Sequence, residues 1–308
     1  MFCPRCHRSF DPSHAFCPSD GSRLLTSADV ATFQAKPTRE TGAILGGRYE
    51  VRGFIGKGAM ARVYLAEDHE THGPVAVKIL EPRMAKEAST RDRFLRETQA
   101  VGRIGHPNIV KLVGHGERGD GSPYIVMEFL FGESLGDWLR RDRVMPVEIG
   151  LPVMAQIADG LAAAHAVGVV HRDVKPDNVF LVGEPGAPYA VKIVDFGLAK
   201  LRGEASTQAG VAIGTLEYMA PEQAVSDHPR NETDVYGLGT LMYRAFTGEL
   251  PFPTAGDAEL LAHQLAVDAP PPILAEDVDP RLGRVLARAL RKHPENRYAS
   301  MDDLMEDL

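Results

Sequence analysis

Residues 171–180 read HRDVKPDNVF and crowd His171, Arg172, Asp173, Lys175, Asp177 and Asn178 into eight positions. The apolar run LAAAHAVGVV (161–170) comes directly before and reads as the end of a buried helix. Charged groups delivered by a buried element are costly unless each finds a partner. The loop is therefore expected to hold something, and the rest of the chain says what.

The chain has 308 residues, 44% hydrophobic and 25% charged, a balance that suits a globular protein of one large or two ordinary domains. A formal net charge of -8 and the lack of any long Lys/Arg block argue against a nucleic-acid partner and for soluble ones. The three cysteines, Cys3, Cys6 and Cys17, cluster at the N-terminus in odd number. They are no disulfide framework, and a reducing, cytoplasmic setting is expected. The opening MFCPRCHRSF has no apolar core of the kind a signal peptide needs. IGLPVMAQIADGLAAAHAVGVV is the stretch nearest to a membrane span, but Gln156, Asp159 and His165 interrupt it, so it reads as a core helix. No membrane contact is expected within these residues. The end, SMDDLMEDL, stops without a helix-capping signal, which suggests a longer protein and leaves room for an anchor beyond residue 308.

Residues 1–24 are rich in Cys, His and Pro and too short for an apolar core, so something other than burial must fold them. TSADVATFQAKPTRETGAILGG lacks periodicity, and residues 25–47 are read as a linker. From about 48, RYEVRGFIG, ARVYLAED and GPVAVKIL alternate as strands. TRDRFLRETQAVGRI has helical spacing with Phe94, Leu95, Val101 and Ile104 to one side, and NIVKLVGHG and SPYIVMEFL return to strands. After residue 134 the pattern is mostly helical. A strand-rich lobe (about 48–130) and a helix-rich lobe (about 131–308) are thus expected, with a ligand cleft between them.

Several short stretches carry chemistry. In IGKGAMARV (55–63), Gly56 and Gly58 permit a tight hairpin whose amides can approach phosphate oxygens, although a glycine hairpin without a ligand would look the same. Lys78 closes the apolar strand VAVK, and a buried ammonium needs an anion. Glu97, on the following helix, is the best-placed carboxylate. Further on come KIVDFGLAK (192–200) and GTLEYMAPE (214–222).

Taken in order, GKGAMARV, VAVK, HRDVKPDNVF, KIVDFGLAK and GTLEYMAPE resemble the protein-kinase signature set, and specifically the Ser/Thr kinases of bacterial type. The resemblance covers residues 48–308; GHPNIV (105–110), TDVYGLG (233–239) and HPENRYAS (293–300) fit the same family. It implies an α+β, bilobal kinase fold and an ATP-dependent protein serine/threonine kinase acting on protein substrates with Mg²⁺ or Mn²⁺. Asp173 would accept or orient the proton of the attacking hydroxyl, and Lys175 would neutralise the moving phosphate. Asn178 and Asp195 are oxygen ligands suited to Mg²⁺. The resemblance also makes Ile55, Val63, Ala76 and Phe180 the adenine-sandwiching residues, with Met127 behind and the backbone of Glu128 to Leu130 as hinge; Glu133 would meet the ribose. Arg172 and Lys200 form a basic pocket that a phosphate on the activation segment would satisfy. Ser206 and Thr207 are the candidate autophosphorylation sites, and Thr215 would bridge to the catalytic loop. Glu222 and Arg297 resemble the family's buried ion pair. Transient homodimers for phosphorylation in trans are implied as well.

The N-terminal CPRCHRSFDPSHAFCPSDGSRL has C-x₂-C, ten residues, then C-x₂-D. Two such knuckles hold zinc tetrahedrally in a zinc ribbon, with Cys3, Cys6, Cys17 and Asp20 as ligands and His7 or His14 as substitutes for the fourth. A metal-free tail is the other reading. For the whole chain the rival readings are a pseudokinase scaffold, a small-molecule phosphotransferase and a zinc-ribbon nucleic-acid binder. Lys78, Glu97, Asp173, Asn178 and Asp195, all present, disfavour the first. The GTLEYMAPE block disfavours the second, and the acidic balance disfavours the third.

Overall fold

Alternating apolar residues between residues 44 and 128 build an antiparallel sheet. In the computed structural model of the chain the described residues are 3, 14, 16–19, 24 and 35–308, without 59, 184–187, 197–215, 226–229, 253–255 and 276–277. They divide into two compact units, one of residues 1–103, 110–132 and 182–187, the other of 104–109, 133–181 and 188–308.

The first unit carries six strands: β1 (Ile44–Leu45), β2 (Tyr49–Lys57), β3 (Ala61–Asp68), β4 (Gly73–Leu80), β5 (Leu112–Glu117) and β6 (Pro123–Glu128). Their order is β1-β2-β3-β4-β6-β5, every pair antiparallel. Helices α1 (Pro82–Ala85) and α2 (Ala88–Val101) follow β4. One face of the sheet is an apolar core of Tyr64, Ala66, Val75, Val77, Ile79, Tyr124 and Val126, with Leu45, Tyr49 and Val51. Because successive side chains in a strand point to opposite faces, this leaves Val63, Ala76, Lys78 and Met127 on the other one. At the mouth of the β2–β3 hairpin, Arg48 donates to both oxygens of the buried Asp68, at 2.6 and 2.7 Å. Those hydrogen bonds hold the Asp68 carboxyl below its usual range against the opposing effect of burial.

Part of the stretch read as linker belongs to this sheet. Lys36 N–H donates to Phe54 C=O at 2.9 Å and Phe54 N–H to Lys36 C=O at 2.8 Å; Val51 N–H donates to Ala43 C=O, and Gly42 N–H to Val51 C=O. Glu40 pairs with Arg118 at 2.8 Å. Residues 35–45 thus cover the edge of β2, which would otherwise present unpaired backbone groups. Gly53 is what admits them: a Cβ there would lie 2.9 Å from Ala35 Cβ and 3.1 Å from Lys36 O. Gly53→Ala is accordingly expected to lower stability by about 1–3 kcal/mol through overpacking and to speed exchange of the Phe54 amide. In a strand free of this contact the same change would stabilise by about 0.5–1 kcal/mol. The sign of the shift in melting temperature decides between the two.

The second unit contains β7 (Gly132–Ser134), α3 (Leu135–Asp142), α4 (Val147–Ala166), β8 (Val179–Val182), β9 (Ala190–Ile193), α5 (Pro221–Val225), α6 (Asn231–Thr247), α7 (Asp257–Ala266), α8 (Pro280–Ala289) and α9 (Met301–Glu306). Strands β7, β8 and β9 form a small sheet in that order. Helix α4 is long and apolar enough to cross a membrane by length and composition, yet its Val153, Met154, Ile157, Ala158, Leu161 and Ala164 are packed inside the unit. Helix α6 is buried along nearly its whole length, from Thr233 to Phe246. Glycines set its approaches: a Cβ on Gly239 would meet Ala289 Cβ of α8 at 2.8 Å, and one on Gly237 would meet Val174 Cβ at 3.0 Å. Asn108, in the GHPNIV stretch, donates to Gln156 Oε1 and Val191 C=O, both at 3.1 Å, and so ties α4 to β9.

Candidate active site

The loop 171–178 is held from below by one carboxylate. Asp234, in the first turn of α6 and 1% exposed, accepts from His171 N–H at 2.7 Å, Arg172 N–H at 2.8 Å and His165 Nε2 at 2.7 Å. Three donors satisfy a charge that burial would otherwise make costly. They also hold Arg172 in the left-handed region, φ 66°, a conformation unfavourable for an L-residue with a long side chain. His171 is fully buried and bridges: its Nδ1 accepts from Asp173 N–H at 3.2 Å and its Nε2 donates to Val194 C=O at 3.0 Å, which fixes the tautomer. Its ring lies 4.5 Å from that of Phe196. His171 thus supports the loop by packing and hydrogen bonding.

Asp173 is the focus of this arrangement. Asn178 Nδ2 donates to Asp173 C=O at 2.8 Å and to Asp173 Oδ2 at 2.9 Å, while Lys175 Nζ lies 2.8 Å from the same Oδ2. Asp173 and Asn178 are each 6% exposed. With both hydrogens of the Asn178 amide committed to Asp173, its Oδ1 is the atom left to offer a ligand. Asp195 follows β9 with φ 59°, again left-handed, and Asn178 C=O accepts from Val194 N–H at 2.9 Å just before it. The two expected metal ligands therefore sit on backbone segments that are hydrogen-bonded to each other. Phe180 is half-buried on β8.

In the first unit the sheet gathers the remaining candidates. Register pairs Gly56 with Val63, Val63 with Lys78, Leu65 with Ala76, Ala76 with Met127 and Val75 with Glu128. Lys78 is only 7% exposed. Glu97 lies on α2, but its side chain is outside the described ones. Gly58 N–H closes the hairpin onto Ala61 C=O at 2.8 Å, and Ile55 is exposed beside the bulge between Phe54 and Gly56. Glu128 ends β6, its N–H donating to Lys111 C=O and its carboxylate accepting from Lys111 N–H. Phe129 and Leu130 continue beyond the strand.

Glu133, expected at a ribose, is held by Arg141 at 2.6 and 3.1 Å. Glu222 and Arg297 form the expected ion pair, bidentate at 2.8 Å for each bond, with the Arg297 side chain fully buried. Arg172 Nε is buried and, among the described residues, has no hydrogen-bond partner. Lys200, Ser206, Thr207 and Thr215 lie outside the described residues, as do Cys6, His7 and Asp20. Cys3 and Cys17 are buried together with Leu24, and His14 is exposed.

Three positioning residues escaped the sequence reading. Asp234 sits in a stretch noted only as fitting the family; a carboxylate entering an otherwise apolar helix was its available signal. Gln223 Nε2 donates to Arg172 C=O at 2.9 Å. Gln264 of α7, 3% exposed, donates to Leu216 C=O at 2.7 Å and Glu217 C=O at 3.1 Å, pinning the turn before GTLEYMAPE ends. Within that turn burial pushes the Tyr218 phenol well above its usual range and raises the Glu217 carboxyl.

A buried aspartate bonded to a lysine and an asparagine with an aspartate before Phe196 in one unit, and a strand lysine after a glycine hairpin in the other, are the signature residues of a protein kinase. The chain belongs to that family: the protein kinase domain matches residues 49–307. Among curated proteins it is 42% identical over 252 residues to serine/threonine-protein kinase Pkn1 of Myxococcus xanthus, covering 80% of this chain and 36% of that protein. It is 38% identical over 272 residues to serine/threonine-protein kinase PknB of Mycobacterium leprae, covering 86% and 43%. The chain thus spans well under half the length of these relatives, all of them serine/threonine kinases of bacterial type. Among solved structures it resembles the Mycobacterium tuberculosis PknI kinase domain, with a TM-score of 0.65 and 27% identity over 88% of this chain and 98% of that one.

Proposed function

We propose that this domain transfers the γ-phosphoryl group of ATP to serine and threonine hydroxyls of protein substrates. The observation that carries the reading is Asp173, whose Oδ2 is held by Asn178 and Lys175 while its backbone is locked by His171 and Asn178. A carboxylate so fixed is suited to orient a hydroxyl for in-line attack. Lys175, one methylene chain away, supplies positive charge where the phosphoryl group passes.

The donor set fits a hard divalent cation, Mg²⁺ or Mn²⁺, since Asn178 Oδ1 and the Asp195 carboxylate are both oxygens. Such an ion, when bound, neutralises charge on the phosphates. Ala76, Val63, Ile55 and Phe180 would receive the adenine, Gly56 and Gly58 the phosphates, and Glu128 to Leu130 the adenine edge. Lys78, on the sheet face opposite the apolar core, would hold the phosphates with Glu97. Regulation rests on Arg172, whose buried Nε is ready for an anion; phosphate on Ser206 or Thr207, also met by Lys200, supplies one. This phosphorylation would occur in trans within a transient homodimer, in the cytoplasm.

The N-terminal module is assigned a zinc ion held by Cys3, Cys6, Cys17 and Asp20. The burial of Cys3 and Cys17, from the two separate knuckles, in one cluster with Leu24 supports this. Metal would provide the folding energy that so small a segment lacks.

Intact-mass measurement after incubation with Mg²⁺ and ATP tests the activity. The native chain is expected to gain phosphate on Ser206 or Thr207, and Lys78→Met to gain none. A native chain that binds ATP yet gains no phosphate would make the domain a scaffold. Elemental analysis of the same protein should find one zinc per chain, lost in Cys3→Ser.

A further inference from the structure

We infer that Gln223 is a positioning residue of phosphoryl transfer, clamping the peptide between Arg172 and Asp173; this rests on the kinase reading above. Gln223 follows the GTLEYMAPE block, on the short helix α5. Its carboxamide makes two opposite bonds: Nε2 donates to Arg172 C=O at 2.9 Å, and Oε1 accepts from Ala220 N–H at 2.9 Å. A donor on one side and an acceptor on the other fix which end of the amide is which.

The Arg172–Asp173 peptide is consequently held on both edges, its oxygen by Gln223 and its N–H by His171 Nδ1 at 3.2 Å. The peptide before it is held by Asp234, which accepts from Arg172 N–H at 2.8 Å. Arg172 needs such restraint, because its φ of 66° is a conformation that it leaves readily when unsupported. Release of the carbonyl would let the peptide plane turn and carry the Asp173 carboxylate with it. Asp173 must stand within a fraction of an ångström of its working position, so a modest turn costs rate. The clamp also has a direction. Ala220 and Gln223 flank Pro221 and Glu222 at the end of the GTLEYMAPE block, so order in residues 220–223 and a correctly turned Asp173 favour each other. The catalytic loop is thereby coupled to the end of the GTLEYMAPE block through one amide.

The test compares Gln223→Glu and Gln223→Leu with the native chain. A carboxylate keeps the size and can still accept from Ala220, but it presents a second oxygen to Arg172 C=O where a donor stood. For both variants kcat is expected to fall about ten- to a hundredfold, about 1.4–2.7 kcal/mol of barrier, with KM for ATP within about twofold. In Gln223→Glu the loss should shrink as the pH is lowered toward about 5, because the protonated carboxyl again offers a hydrogen to the carbonyl. Gln223→Leu should show no such recovery. A merely structural glutamine would lower the melting temperature without this split or this pH signature. Amide exchange at Asp173, read by NMR, needs no activity and should quicken in both variants. Unchanged Asp173 exchange or unchanged kcat per folded molecule overturns the clamp. An inactive native chain with quickened exchange in the variants overturns the kinase reading and leaves the clamp standing.

Discussion

Asp173→Asn is expected to lower the rate constant of phosphoryl transfer by about 10²- to 10⁴-fold, the range for loss of a positioned acid–base group, while ATP affinity stays within a few-fold. The replacement is nearly isosteric. It keeps an oxygen that can accept from Asn178 Nδ2 and Lys175 Nζ, so the loop has no reason to rearrange. What disappears is the negative charge that draws the hydroxyl proton and pairs with the Lys175 ammonium. Single-turnover measurement with saturating Mg²⁺ and ATP isolates the step. A loss below tenfold would mean that Asp173 does not orient the hydroxyl and that the focus of the site lies elsewhere. A loss accompanied by failure to bind ATP would point to collapse of the loop instead.

The second large effect is on stability. Arg297 spends all five of its N–H donors: on Glu222 Oε1 and Oε2, and on the carbonyls of Glu232, Arg291 and Lys292, at 2.7 to 2.9 Å. It also stacks 4.9 Å from the Tyr236 ring. Arg297→Met leaves the largely buried Glu222 charge without its cation and strands three carbonyls. Breaking a buried pair from one side costs about 3–5 kcal/mol. For a domain of this size that is a fall in melting temperature of roughly 6–20 °C. Glu222→Leu combined with Arg297→Met should recover part of this but not all, since the carbonyls remain unsatisfied.

The same pair makes a pH prediction. Burial alone would raise the Glu222 carboxyl, but the hydrogen bonds and charge of Arg297 outweigh it, and the net displacement is downward from 4.5. A carboxyl depressed in the folded state binds fewer protons than in the unfolded chain. Its contribution is therefore complete above about pH 4.5 and is lost as the pH falls through the lower folded value. The native domain should lose melting temperature in that acid range, and Arg297→Met should show a flatter profile there. A native profile as flat as the variant's would remove the pair from the acid sensitivity.

Much of the fold was legible because its signals are local. Alternation in RYEVRGFIG, ARVYLAED and GPVAVKIL foretells β2, β3 and β4, and the helical pattern after residue 134 foretells the second unit. The linker reading shows where such signals fail. Residues 35–45 have no periodicity because they join the sheet through backbone bonds, at Lys36–Phe54 and Ala43–Val51, which leave little trace in side-chain pattern. Gly53 was visible, but its reason, contact with Ala35, was not.

The order of five short motifs, with Lys78, Asp173, Asn178 and Asp195 among them, was enough to identify a protein kinase and to propose its reacting groups. Reacting groups must be particular residue types at nearly fixed spacing, so they are written in the chain itself. The supports are of another kind. Asp234 is 62 positions from the Arg172 amide it holds, Gln223 is 51 from the Arg172 carbonyl, and Gln264 is 48 from Leu216. Each satisfies backbone groups that any residue could present, so no spacing announces it. Only folding, by bringing α5, α6 and α7 against loops that would otherwise bury unpaired N–H and C=O groups, decides which polar side chain meets that need.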